Sequence, residues 1–232
     1  MPFPLYSGNP PKTQTDLVNE VNTELRNKTL QLSPQIYNNI RPDAIQNGMC
    51  FILSLKWIVL NLNTRPINMN TPEFSYDLLI NDLGGLMTVA EKSTLYKRES
   101  GFTHALPLDT QTLVQKYLRD LSNNRYDIRS VANINLDIPN ANYSNLNQQQ
   151  ITLLRERASV LDIYASAPPT TAFLIINHRI STPASHAMAM IHSGTNAYKL
   201  YDPNHGVYTC NKITDLVLLG SFDYHIYVYE IN

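Results

Sequence analysis

The chain has 232 residues, 43% of them hydrophobic, and its 18 basic and 19 acidic side chains leave a formal charge of -1. A length and apolar content of this order can bury a substantial core and predict one large domain. The near-neutral balance creates no field that would draw the chain to phosphate backbones or anionic lipid, so nucleic acid is excluded as an expected partner.

In chain order, the opening MPFPLYSGNPPKTQ lacks both the basic and the apolar region of a secretory signal, and residues 1–14 read as a flexible N-terminal arm. From Thr15, Leu17, Val21 and Leu25 recur four apart behind a Thr or Asp cap, the pattern of an amphipathic helix. NGMCFILSLKWIVLNLN follows, with a turn-like Asn47-Gly48 and then an apolar run that predicts a buried helix starting near Cys50. That run is interrupted by Lys56 and is too short to span a bilayer, so no membrane span is expected. PEFSYDLLINDL and LDTQTLVQKYLRDL are helical patches; 131–147 is Asn-rich and reads as a loop; QQQITLLRERASVLDIYAS restores helical periodicity. After Pro168-Pro169 the character changes. TTAFLIINHRI, HAMAMIHS, NAYKLYDP and SFDYHIYVYEI are each bounded by Gly, Pro, Asn or Ser and read as strands. Residues 15–232 therefore form a single α+β domain, helical over about 15–167 and an antiparallel sheet over about 170–232.

The chemistry is concentrated in Ser185–Gly206, where a histidine opens one strand and an aspartate closes the next. A three-residue turn at Gly194-Thr195-Asn196 sets His186 opposite Asn204 and puts Asp202 on the same face, a diagonal neighbour of His186. A two-residue turn would shift that register by one unless a bulge restored it. A histidine held by a carboxylate at a sheet rim needs a proton donor, and Cys50 fits best: a thiol at a helix start meets the positive end of the macrodipole. Cys50 as nucleophile, His186 as proton shuttle and Asp202 as the group that fixes the imidazole tautomer make a coherent set. Gln46 or Asn47 can serve the oxyanion beside the Cys50 N–H, with Gln46 favoured.

Gly48-x-Cys50 heading an apolar helix with Trp57, then His186-Ala-x-Ala189, then Tyr201-Asp-Pro-Asn-x-Gly206, resembles the YopT and AvrPphB family of bacterial effector cysteine peptidases. The resemblance covers roughly 46–60 and 170–232 and includes the 16-residue interval from His186 to Asp202. It implies a papain-like fold with a helical lobe and an antiparallel sheet. It also implies peptide-bond hydrolysis without a cofactor, a protein substrate in a host cell, and delivery there by a specialised bacterial secretion system. The same three residues would equally serve a transglutaminase-like, deamidase-like or acyl-transfer enzyme, since all share the thioester, and the scaffold could also act as a binding module.

Taken separately, each element has a plainer explanation: a cysteine at an apolar helix start is a small hydrophobe, and Asp-Pro-Asn-x-Gly is a turn. Trp57 reads as core packing and Cys210 as an inert strand thiol, with no bridge to Cys50 needed in a chain of this size. No metal site is expected. His186 and His192 share a strand face but stand about 20 Å apart, and His178, His205 and His225 show no close ligand spacing. His205 is placed beside Asp202, while His104 has no assigned role.

Overall fold

The structure is a computed structural model that describes residues 12–46, 48–63, 82–100, 110–135, 147–159, 171–179, 185–194, 197–210 and 224–232. Residues 1–11 of the expected arm, nearly all of the PEFSYDLLINDL patch and His104 lie outside the described residues.

The first helix, α1 (Gln14–Asn27), begins one residue before the expected start. Its cap is Thr13, whose hydroxyl accepts the Asp16 N–H at 3.3 Å, while the Asp16 carboxylate accepts the Thr13 N–H at 2.8 Å. This reciprocal pair satisfies donors that the helix itself cannot. Leu17, Val18 and Val21 carry the buried face. Two short helices follow, α2 (Pro34–Asn39) and α3 (Pro42–Gln46), then α4 (Cys50–Asn63). All of α4 is buried except Lys56, Leu60 and Asn63, because the sheet packs on one side and helices α5 (Leu83–Glu99) and α6 (Thr110–Ser122) on the other. Helix α7 (Gln148–Ala158) completes the described helices over the first part of QQQITLLRERASVLDIYAS, whose residues from 160 on lie outside the described ones.

Among the described residues, six antiparallel strands form one sheet in the order β1-β6-β2-β3-β4-β5: β1 (Ile128–Asn135), β2 (Ala172–Arg179), β3 (Ser185–Gly194), β4 (Ala197–Asp202), β5 (Gly206–Cys210) and β6 (Tyr224–Ile231). Side chains 172–176 and 187–191 are buried without a break, so both faces of the central strands are covered. Ala172, Leu174 and Ile176 of β2 and Ala187, Ala189 and Ile191 of β3 join the cluster built around α4.

Three elements differ from the sequence expectation. Residues 128–135 are a strand rather than the start of a loop, and the sheet therefore recruits a segment from the part read as helical. A register shift between Ser130 and Ala132 breaks the period-two pattern, and the exposed Asn133 and Asn135 flank a buried Ile134, so the segment resembled a polar linker. Strand β5, GVYTC, is a short edge strand that the β4 turn hid, and α5 was not delimited from the helical patches around it.

Between β4 and β5 the chain reverses through Pro203, Asn204 and His205, with Asp202 paired to Gly206 and the His205 N–H donated to the Asp202 carbonyl at 3.0 Å. Gly206 has φ 105°, a conformation that a Cβ disfavours. Gly206→Ala is expected to lower stability by about 1–2 kcal/mol with no change in denaturant m-value, measured by urea titration; an unchanged midpoint would show that the turn relaxes freely.

Candidate active site

Residues at i, i+4 and i+7 of a helix share one face, and on α4 these are Cys50, Ser54 and Trp57. Ser54 donates its hydroxyl to the Ala187 carbonyl at 3.0 Å, a buried bond that ties α4 to the residue following His186. Trp57 is fully buried and stacks on Tyr201, the residue before Asp202, with centroids 5.5 Å apart and planes at 18°. One helical stripe thus sets the thiol at the helix start against both β3 and β4.

Across the hairpin, the register pairs Ala189 with Tyr201 and His192 with Tyr198, the alignment expected from the sequence. It is reached through a register shift between His192 and Gly194, with Gly194 paired to Ala197. A one-residue bulge therefore restores the faces that a tighter turn would have inverted. His186 Nε2 lies 2.8 Å from Asp202 Oδ1. The other carboxylate oxygen, Oδ2, lies 2.9 Å from His205 Nδ1, and the Asn204 backbone N–H donates to Oδ1 at 2.9 Å. With Nε2 committed to Asp202, the second ring nitrogen of His186 is the one left for Cys50, whose pKa His186 lowers.

The charges follow from these contacts. Burial opposes charge on the imidazole, but hydrogen bonds to Asp202 and Cys50 and their negative charges outweigh it and raise His186 to about 10. Burial likewise opposes ionisation of Asp202, yet His186, then His205, then the Asn204 N–H hold it down at about 2. Cys50 is 9% exposed, which disfavours thiolate, and the hydrogen bond and charge of His186, with the N–H groups of Ala187 and Phe51, lower it nonetheless. These contacts all act in one direction, favouring thiolate at Cys50, imidazolium at His186 and carboxylate at Asp202.

Of the residues singled out from the sequence, Cys50, His186, Asp202 and His205 are brought together. Gln46 ends α3, four residues before Cys50, with its side chain exposed and unengaged by hydrogen bonds among the described residues. Asn204 meets Asp202 through its backbone, not His186. Cys50 is a free thiol; Cys210 ends β5 opposite Tyr198, and its side chain lies outside the described ones. His178 and His225 are register partners in β2 and β6, with side chains likewise outside the description. Among the described residues no group of three His, Cys, Asp or Glu converges to hold a metal, and no helix is long and apolar enough to cross a membrane. Sequence reasoning missed Ser54, although its position four residues beyond Cys50 on the sheet-facing stripe was the available signal.

No protein-family model matches the chain, and no curated protein matches it in sequence. Among solved structures, the crystal structure of the Pseudomonas avirulence protein AvrPphB superposes with a TM-score of 0.50 at 17% identity, covering 85% of this chain and 99% of that one. The chain thus has the α+β, papain-like fold of AvrPphB, with helices packed on an antiparallel sheet.

Proposed function

We propose that the protein is a cysteine peptidase that cleaves a protein substrate through Cys50, His186 and Asp202. The observation that carries this reading is the 2.8 Å contact of His186 Nε2 with Asp202, which leaves the other ring nitrogen for the Cys50 thiol. The Cys50 thiolate attacks the scissile carbonyl carbon, and the carbonyl π pair moves onto oxygen. That oxyanion is met by the Cys50 N–H at the α4 start and by the Gln46 amide, four residues upstream. Collapse expels the amine, which takes its proton from the His186 imidazolium and leaves a thioester. His186, now neutral, removes a proton from water as the water attacks the thioester, and the acid product departs while Cys50 returns to thiolate. Asp202 holds the ring in the tautomer that both steps need and stabilises its charged form. The likeness to an avirulence protein supports a substrate inside a host cell and delivery there by a bacterial secretion system.

The test is to incubate purified protein with host-cell lysate and profile newly formed protein termini against Cys50→Ala. New termini with the wild type alone are expected. Their absence, accompanied by Cys50-dependent release of ammonia, would replace peptidase by deamidase or acyl transferase; the absence of both would leave a binding module.

A further inference from the structure

The residue after Cys50 and the residue before Lys97 are stacked: the Phe51 and Tyr96 rings have centroids 4.4 Å apart and an interplanar angle of 25°. This stack fixes α5 against the start of α4 and brings Lys97 over Gly48, two residues ahead of the thiol. A Cβ at Gly48 would meet Lys97 Cε at 2.5 Å and Nζ at 2.7 Å, while the glycine has no positive φ to explain it. The glycine leaves room for the lysine to pass this close, and a Cβ there would have to displace the flexible end of the lysine.

Lys97 is half-buried, and among the described residues no carboxylate lies within ion-pair distance of it. A desolvated ammonium without a carboxylate partner is costly to keep charged unless another anion faces it. We propose that Lys97 is a positioning residue of the Cys50 site, an ammonium held over Gly48 that stabilises negative charge on the sulfur and so biases the nucleophile toward thiolate. The electrostatics agree: burial depresses the Lys97 ammonium, and of the two charges that oppose this, Cys50 acts more strongly than Asp43 of α3. Among the described residues, the other charged groups around the sulfur are His186 on β3 and, behind it, Asp202 on β4; the Tyr96 hydroxyl, raised to about 12 first by burial and then by the Cys50 charge, stays neutral.

The inference rests on Cys50 being the nucleophile of the proposed peptidase, and its test needs no substrate. Iodoacetamide and iodoacetate each lose iodide to the Cys50 thiolate by the same displacement, but only iodoacetate is an anion, so the ratio of their rates reads the local potential at the sulfur. At pH 8, Lys97→Met is expected to lower the iodoacetate-to-iodoacetamide ratio at Cys50 by about fivefold, the size of a screened charge effect at a half-exposed site. Lys97→Arg should keep the ratio near wild type. Gly48→Ala, which keeps the lysine but pushes its flexible end away from the loop, should lower it in the same direction. A folded Lys97→Met protein with the wild-type ratio overturns the proposal; if that variant fails to fold, Gly48→Ala decides on the same criterion. Failure of the peptidase reading has a different signature: wild-type Cys50 would alkylate at pH 6 no faster than an ordinary thiol, whatever residue 97 is.

Discussion

Asp202→Asn is expected to remain folded, with some loss of stability, and to lower turnover by about 10^3- to 10^4-fold. The carboxylate receives His186 Nε2 on one oxygen and His205 Nδ1 on the other, with the Asn204 N–H as a third contact. An amide of the same shape can keep the turn, since the backbone bonds from His205 to the Asp202 carbonyl and from Gln14 to the Pro203 carbonyl do not involve the side chain. What it loses is charge and a fixed tautomer. Its NH2 group can donate to Nε2, which places the ring proton on the nitrogen facing Cys50, where a base is required. Without the carboxylate the imidazolium also loses the partner that raises it to about 10. The measurement is the yield of substrate termini per enzyme per unit time, with urea unfolding as the control for folding. Activity within a few-fold of wild type in a folded Asp202→Asn protein would remove Asp202 from the mechanism.

The same turn illustrates what a sequence displays. His186 and Asp202 were legible together because a strand has a period of two and a hairpin a nearly fixed register, so two polar residues at the ends of apolar runs can be placed on a shared face by counting. The count worked in spite of a turn whose details it had wrong: the shift between His192 and Gly194 compensates for the tighter reversal. Cys50 was legible because an apolar run after Asn47-Gly48 has a definite start. By contrast, β1 was hidden because its bulge at Ser130/Ala132 removes the alternation that identifies a strand, and β5 because five residues behind a turn give too little pattern. Ser54 and Lys97 were hidden for another reason. A serine bonded to a carbonyl 133 positions away, and a lysine crossing the glycine just ahead of another helix, are products of tertiary packing, and neither helical periodicity nor composition encodes which long-range neighbour a polar side chain meets.

The second large effect concerns the acidity of Cys50. At pH 6 an ordinary thiol near 8.5 is well under ~1% ionised, so iodoacetamide should scarcely touch it, whereas Cys50 is expected to alkylate at close to its full rate. The sign follows from both partners. Cys50 is lowered by its hydrogen bond to His186, so thiolate persists on the acid side of the usual range; His186 is raised to about 10, so its positive charge survives through neutral pH and is lost only as pH climbs through that value. Between those limits the pair is charged and the alkylation rate should be nearly flat in pH, in contrast to the tenfold rise per unit of an isolated thiol. The stability that His186 contributes has the same upper limit: it is complete below about 6.5, the unfolded value, and decays as pH rises from there through about 10. Cys210, at the end of an edge strand and followed in sequence by Asn211 and Lys212, serves as the in-chain reference for an ordinary thiol. His186→Ala removes the largest stabilising partner of the thiolate while burial, which opposes charge, remains, so the Cys50 rate at pH 6 should fall by about 10^2-fold or more and regain a steep pH dependence. Mass spectrometry of the two cysteine-containing peptides after limiting iodoacetamide reads both sites at once. Equal labelling at pH 6, or preference for Cys210, would make Cys50 a buried hydrophobe at a helix start and leave the proposed peptidase without a nucleophile.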